Sequence, residues 1–248
     1  MFIYGLCRKI TPFKAEYFAI SGQRLTDRGG GRVNQRRAGG ASGVPGMIKD
    51  SRAKTKAKAA RAEPDSVPQH LRRSVVLVGM MGSGKTAVGK ALALRLGVPF
   101  LDSDAEIERA AQATIPEIFA RDGESFFRDR EAEVIGRLLN GPPAVISTGG
   151  GAFMAERNRQ TIAAHGVSLW LDAALDVLWD RVRHKENRPL LRTANPRETL
   201  ARLFQVRVSV YKLATLRVEV EASFTIDDTT ARAIAVLRAT PDVLEHDD

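Results

Sequence analysis

Short apolar segments alternate with longer stretches of helical periodicity over the greater part of the chain. The first of them, residues 75–78, is continuously apolar, which is typical of a strand buried on both faces of a parallel sheet. Further strands are predicted over 98–102, 144–148, 167–172 and 216–220. Because helix-length segments separate them, the pattern predicts an α/β fold, a three-layer α/β/α sandwich with a mainly parallel five-stranded sheet.

The helical segments carry start and stop signals. The first ends at Leu96, and Gly97 suits the left-handed residue that follows a helix. Thr114 and Glu117 have the spacing of a capping box ahead of a short helix that Gly123 breaks. The longer helices are predicted from 84 or 85 to 96 and over 124–139, 174–185, 197–213 and 229–239.

The first 70 residues differ in composition from the rest. They contain glycine runs, such as 29–31, and a basic segment at 49–63, without a pattern that would bury apolar side chains. Since such segments do not offset the entropy cost of ordering, we expect 1–70 to be a disordered extension and 71–248 to be the folded domain. An inert leader ahead of a start at Met47, a targeting segment and a contact with anionic partners remain open for the extension.

The net charge of +9 resides in the extension. Residues 1–73 hold 16 Lys and Arg against 5 Asp and Glu, a net +11, and the other 175 residues carry −2. The charge therefore does not favour nucleic-acid binding by the folded part. A single cysteine, Cys7, excludes an intrachain disulfide, and no run of 18 apolar residues indicates a membrane span. We expect a cytoplasmic protein that acts as a monomer.

A phosphate-binding motif follows the first strand. The segment GMMGSGKT, residues 79–86, fits G-x-x-x-x-G-K-[ST] between a buried strand and a helix. Its glycines admit backbone N–H groups to the phosphates, and the helix N-terminus adds partial positive charge. Lys85 is suited to the β- and γ-phosphates, and the Thr86 hydroxyl is suited to Mg²⁺. The motif predicts a nucleoside triphosphate but leaves the acceptor of the phosphate open.

Two carboxylates end the second predicted strand. Asp102 and Asp104 lie where ligands of open α/β sheets bind. One of them suits Mg²⁺ and its water, and the other suits a hydroxyl of the acceptor. A helix N-cap or a surface acidic pair is the simpler alternative.

Cations and bare backbone complete the predicted acceptor site. Arg128 has Glu131 one turn later, so an ion pair would fix the guanidinium, although an exposed pair is the alternative. Glycines 149–151 directly follow a strand and expose backbone N–H groups. Arg188 lies in a loop between two helical segments, and Arg207 lies on a helix. This combination predicts a small, hydroxylated, anionic acceptor.

Six segments of the sequence together resemble the shikimate kinase family. In the family's order they are GMMGSGKT, LDSDAEIE, GESFFRDREAEVI, STGGGA, NRPLL and RVSVYKLAT, within residues 74–240. The resemblance implies a P-loop kinase fold like that of nucleoside monophosphate kinases, with a closing lid. It also implies transfer of the γ-phosphoryl group of ATP to the 3-hydroxyl of shikimate.

The resemblance further implies a role for each matching residue. Lys85, Asp104 and Arg128 would be catalytic, and Thr86 with Asp102 would hold one Mg²⁺. The residues that would bind shikimate are Asp104, Arg128, Gly150 and Arg207. The residues that would bind ATP are Gly82, Ser83, Gly84, Lys85, Thr86, Ala87 and Arg188.

The chain departs from the family's usual pattern near the nucleotide. Ala87 follows Thr86 where the family usually has a second hydroxyl residue, and the loop at 221–228 lacks the basic residue and proline often found beside adenine. Arg181 is then a candidate for stacking on the base, or simply a solvated helix arginine. Two other functions remain open: another small-metabolite kinase, such as a gluconate kinase, and a catalytically silent binding or regulatory protein.

Overall fold

The computed structural model of the protein describes residues 70–185 and 189–244. The strands are β1 (Ser74–Val78), β2 (Phe100–Asp102), β3 (Val145–Ser147), β4 (Gly166–Ala173) and β5 (Leu216–Val220). The α-helices are α1 (Lys85–Leu96), α2 (Ser103–Ala111), α3 (Ile115–Leu139), α4 (Glu156–His165), α5 (Leu175–Val182), α6 (Pro196–Tyr211) and α7 (Ile226–Arg238). Two short 3₁₀ helices lie at Ala152–Met154 and Pro189–Leu191.

The five strands form one sheet in the order β2-β3-β1-β4-β5, and every neighbouring pair is parallel. The central strand, β1, is covered on both faces, because all of its residues are buried. The predicted α/β fold with a five-stranded parallel sheet is confirmed, and the sheet is wholly rather than mainly parallel. The carboxyl ends of β1, β2 and β3 consequently meet at one edge, where open α/β sheets bind ligands.

Close packing of α1 against the sheet fixes the position of the phosphate-binding loop. A methyl group added at Gly89 of α1 would lie 2.6 Å from the Phe100 ring and 2.8 Å from Leu77 Cδ1. The helix can approach β1 and β2 this closely only because residue 89 has no side chain. The helix that follows the loop is therefore held rigidly above the strand that precedes it.

Most predicted helix signals are confirmed. Gly97 adopts φ 65° and its N–H bonds the last turn of α1. Thr114 caps α3 through a capping box, and Gly123 interrupts that helix with φ 83° and ψ 174°. α7 begins at residue 226, ahead of the predicted 229, because Thr225 and Asp228 form a capping box there.

Two helices were not predicted from the sequence. α2 follows β2 without a loop, because the Asp102 side chain accepts hydrogen bonds from the N–H groups of Asp104 and Ala105 and so starts the helix. The second strand is accordingly shorter than the predicted 98–102. α4 is strongly polar and buries only Asn158 and Ile162, so it lacks the apolar stripe on which a sequence-based assignment depends.

The first and last residues of the described part of the chain meet near the amino-terminal end of β1, at the opposite end of that strand from the phosphate-binding loop. Leu71, just before β1, forms an antiparallel bridge with Leu244, and the Arg72 N–H donates to the Val243 carbonyl at 2.9 Å. The predicted extension, residues 1–70, lies outside the described residues except for His70. No helix within 70–185 and 189–244 is long and apolar enough to cross a membrane.

Candidate active site

A cleft of about 490 Å³ opens at the sheet edge where β1, β2 and β3 end. Its walls combine the predicted phosphate-binding loop, both predicted carboxylates and the start of the glycine triplet. The residues from these segments are Met81, Gly82, Ser83, Gly84, Lys85, Thr86, Ala87, Val88, Asp102, Asp104, Gly149 and Gly150. The fold thus brings the predicted phosphate-binding loop together with Asp104 and Gly150 of the predicted acceptor site, whereas Arg128 and Arg207 do not line this cleft themselves.

The phosphate-binding loop is shaped by glycines and by the lysine that ends it. Gly79, Gly82 and Gly84 have φ of 140°, 87° and 98°, a region that side chains disfavour. The Lys85 Nζ donates to the carbonyl oxygens of Gly79 at 2.8 Å and Met80 at 3.0 Å. Because α1 begins at Lys85, its partial positive charge lies at the loop, as anion binding requires.

Asp102 serves as a helix cap and also borders the cleft. Its Oδ1 accepts from the N–H of Asp104 at 3.1 Å and of Ala105 at 3.3 Å, so the simpler alternative of an N-cap is correct for this residue. Thr86 lines the same cleft. When phosphates and water supply most ligands of Mg²⁺, the protein typically provides only one or two, such as a hydroxyl and a carboxylate. The donor set therefore fits the ion, and no group of three His, Cys, Asp or Glu in the described ranges offers another site.

Asp104 is the most perturbed carboxylate of the cleft. Burial raises its pKa to about 6, the negative charges of Asp102 and Glu131 add to the rise, and Lys85 and Arg128 oppose it. Its Oδ1 is buried and has no hydrogen-bond partner in the described part of the chain. A buried acceptor atom left open in a cleft is suited to the hydroxyl of a ligand.

Arg128 is held by two carboxylates of its own helix. Its Nη1 lies 2.8 Å from Glu131 Oε2, and its Nη2 lies 3.5 Å from Glu124 Oε1. Glu131 is only 1% exposed, so the predicted pair is not a solvated surface pair. Burial raises the pKa of Glu131 and the Arg128 charge offsets part of that rise. This ion pair fixes the direction of the Arg128 guanidinium, which the helix backbone by itself would leave free to rotate.

The glycine triplet is the element that gathers the charged acceptor groups. A methyl group at Gly149 would lie 2.8 Å from Asp104 Oδ1. One at Gly150 would lie 3.1 Å from Arg207 Nη1, and one at Gly151 would lie 2.9 Å from Arg128 Nη2. Each glycine therefore abuts a different predicted acceptor residue. The need for glycine here is close approach, because none of the three has a left-handed φ.

Arg207 is the more deeply buried of the two arginines. It lies on α6 and is 4% exposed, although the sequence describes it only as a cation on a helix. Its charge acts on Glu131 and on Tyr211 one turn later. A buried guanidinium beside bare glycine backbone is a strong site for a carboxylate.

The nucleotide end of the cleft is bordered by α5 and the start of α7. Arg181 Nη1 donates to the Gly82 carbonyl at 3.4 Å, so this arginine lies against the phosphate-binding loop and is not a freely solvated side chain. Lys185 and Phe224 also line the cleft and were not singled out in the sequence. The i, i+4 spacing of Lys185 from Arg181 was the available signal. Arg188, the predicted lid residue, lies outside the described residues.

Comparison with known proteins identifies the family. The family model for shikimate kinase matches residues 81–238. A shikimate kinase from Ruegeria pomeroyi is 63% identical over 175 residues, which are 71% of this chain and 90% of that protein. One from Cereibacter sphaeroides is 60% identical over 188 residues, 76% of this chain and 94% of that protein.

Solved structures agree with the sequence relatives. A shikimate kinase from Acinetobacter baumannii, in complex with shikimate, is 38% identical with a TM-score of 0.61, covering 67% of this chain and 93% of that one. A shikimate kinase from Bacteroides thetaiotaomicron is 31% identical with a TM-score of 0.63, covering 67% of this chain and 98% of that one. The chain therefore belongs to the shikimate kinase family, whose members are ATP-dependent kinases.

Proposed function

We propose that the protein transfers the γ-phosphoryl group of ATP to the 3-hydroxyl of shikimate, giving shikimate 3-phosphate and ADP. The observation that carries the proposal is the meeting of a phosphate-binding loop with one buried carboxylate and two arginines at a glycine triplet. Shikimate carries a carboxylate, which suits the two arginines by charge, and ring hydroxyls, which suit the Asp104 carboxylate as hydrogen-bond donors. A neutral sugar would leave the buried Arg207 without its anion.

The acceptor is held by four residues. Arg128 and Arg207 bind its carboxylate, Asp104 accepts from its hydroxyls, and the Gly150 backbone borders its ring. The unpartnered Oδ1 of Asp104 supports this assignment, because a ligand hydroxyl would satisfy it. The ion pair of Arg128 with Glu131 supports a preset guanidinium.

The phosphates of ATP are held by residues 82–87. Backbone N–H groups of Gly82, Ser83, Gly84 and Ala87 surround them, and Lys85 bridges the β- and γ-phosphates. Lys85 now donates to two carbonyls of its own loop, so its ammonium is already held within reach of the cleft. Thr86 and Asp102 would hold one Mg²⁺, which would supply neutralisation of phosphate charge when bound.

The chain contributes mainly position and charge to the reaction. Asp104 orients the 3-hydroxyl toward the γ-phosphate, and Lys85 stabilises the charge that develops on the bridging oxygen. The role of Arg188 at the phosphates stays a prediction from the sequence, because this residue lies outside the described ones.

The test separates acceptor binding from ATP binding. Loss of one bidentate, charge-assisted contact is worth about 1.5–3 kcal/mol, so Arg128→Ala or Arg207→Ala should weaken shikimate binding by about 10–150-fold. ATP affinity should stay within about threefold, since no arginine of this pair is assigned to phosphates. Titration calorimetry with each substrate measures both effects.

Arg130→Ala is the matched control. Arg130 lies on α3 like Arg128 and pairs with Glu133 at the same i, i+3 spacing, but both partners are exposed. This variant should bind both substrates as the wild type does. Coupled ADP release with shikimate, quinate and gluconate then tests the substrate directly. Faster turnover with gluconate, or equal loss of ATP binding in the two arginine variants, contradicts the proposal.

A further inference from the structure

We propose that Tyr211 is a positioning residue for shikimate, whose hydroxyl fixes both Arg207 and the Gly150 peptide. The inference rests on the proposed function. Tyr211 ends α6, one turn after Arg207, and is only 1% exposed. Its Oη donates to the Gly150 carbonyl oxygen at 2.5 Å, across 61 residues of sequence. A helix is thus tied to the glycine triplet through a single hydroxyl.

The same hydroxyl also lies near Arg207. The Arg207 charge acts on the phenol, and the phenol proton goes to the Gly150 carbonyl oxygen. A methyl group at Gly150 would lie 3.1 Å from Arg207 Nη1 and 3.5 Å from Tyr211 Oη. Both side chains therefore approach the same glycine. Because the hydroxyl is bonded to the Gly150 peptide and lies near the guanidinium, it constrains the position of both groups.

The phenol acts as a neutral group throughout. Burial raises the pKa of Tyr211 to about 12, although the positive charge of Arg207 opposes the rise. The proton that bonds Gly150 consequently stays in place at any ordinary assay pH. This excludes a role for Tyr211 as a general base and leaves orientation as the function of its hydroxyl.

The ring and the hydroxyl of Tyr211 have separable roles. The ring fills the core and stands 6.2 Å from the Trp170 ring, centroid to centroid, in a tilted arrangement. Tyr211→Phe keeps this packing and removes only the hydroxyl and its bond to Gly150. Without that hydroxyl nearby, the Arg207 guanidinium samples more orientations, and the shikimate carboxylate must order it on binding.

The experiment measures steady-state kinetics of Tyr211→Phe against both substrates. Loss of a hydrogen bond of ordinary strength predicts a rise in KM for shikimate of about 3–10-fold. The KM for ATP and kcat should stay within about twofold, and the shape of the pH profile should not change. Thr230→Val is the matched control, because it removes an equally buried hydroxyl that bonds the Ile226 carbonyl in α7, away from the glycine triplet.

A double-mutant cycle tests whether the effect passes through Arg207. In the Arg207→Ala background, Tyr211→Phe should change the KM for shikimate by less than about twofold. Arg207→Lys keeps the positive charge but loses the planar set of donors. Adding Tyr211→Phe to Arg207→Lys should also leave the KM for shikimate nearly unchanged.

Three outcomes would overturn the proposal. They are an unchanged KM for shikimate in Tyr211→Phe, an equal rise in the KM for ATP, and a full effect in the Arg207→Ala background. Failure of the proposed function is distinguishable, because it shows as absence of shikimate-dependent ADP release in the wild type. A wild type that turns over shikimate, with a Tyr211→Phe variant that matches it, refutes the positioning role alone.

Discussion

Gly151→Ala should impair shikimate binding without weakening the fold. The added methyl would lie 2.9 and 3.0 Å from the two terminal nitrogens of Arg128 and 3.2 Å from its Cζ. Gly151 has φ −91° and ψ −19°, a conformation that alanine adopts freely. The conflict is therefore with the guanidinium and not with the backbone.

The size of the effect follows from how far Arg128 must move. To reach an ordinary contact distance of about 3.5 Å, the guanidinium must retreat by about half an ångström. Its pairs with Glu131 and Glu124 lie on the same helix and oppose that retreat. A displacement of this size breaks one of the two hydrogen bonds of a bidentate contact, which is worth about 1–2 kcal/mol and predicts a rise in KM for shikimate of about 5–30-fold.

Gly136→Ala is the matched control for this prediction. Gly136 lies inside α3, the helix that carries Arg128, and a methyl group there meets no atom within 4 Å. Alanine should stabilise the helix by about 0.5–1 kcal/mol and leave both KM values unchanged. Thermal melts and steady-state kinetics of the two variants measure the contrast. If Gly151→Ala retains the wild-type KM for shikimate, or raises the KM for ATP equally, Arg128 does not lie where the acceptor carboxylate binds.

Two further predictions concern charge in the cleft. Because burial raises the pKa of Asp104 from 3.8 to about 6, wild-type kcat/KM for shikimate should fall as the pH drops through 6, and Asp104→Asn should lack this limb. The same raised pKa means that Asp104 favours the fold fully below pH 3.8 and loses this contribution as the pH rises through 6. The free energy of unfolding of Asp104→Asn should therefore exceed that of the wild type at about pH 8 by up to about 3 kcal/mol, and should not exceed it at about pH 4. Denaturant titrations at the two pH values measure it, and an equal difference at both would refute the assignment. Lys85→Ala should abolish phosphoryl transfer in single-turnover assays. Lys90→Ala is the control and should retain activity, because Lys90 is an exposed lysine of the same helix that lies over the Phe100 ring. Activity of Lys85→Ala within tenfold of the wild type would exclude the role of Lys85.

Signals that depend on neighbours in sequence predicted much of this structure. The buried strand before the phosphate-binding loop, the capping box at Thr114 and the break at Gly123 are all local, and each is confirmed. The Arg128–Glu131 pair is local too, although its burial is not, since it depends on what packs over α3. α4 was missed because its sequence is polar and its place is set by packing against α3 and β4.

Contacts between distant segments were beyond prediction from the residues alone. The sequence presents 149–151 as three equivalent glycines, yet each one abuts a different charged group. That division follows from β3 lying between β2 and β1, which places the triplet beside Asp104, and from α6 crossing it with Arg207. The N-cap role of Asp102 was foreseen only as an alternative, because capping and metal binding require the same side chain at the same strand end.

The order of the strands has a consequence for synthesis of the chain. β1 is made first but lies at the centre of the sheet, and its two neighbours, β3 and β4, end at residues 147 and 173. At about 5–20 residues per second, the ribosome needs about 5–20 s to pass from the end of β1 to the end of β4. For that interval the apolar segment SVVLV has no completed partner on one side, and its unpaired edge is open to other chains. Non-local parallel pairing of this kind folds slowly, so the strand that supports the phosphate-binding loop needs protection from aggregation as the protein emerges.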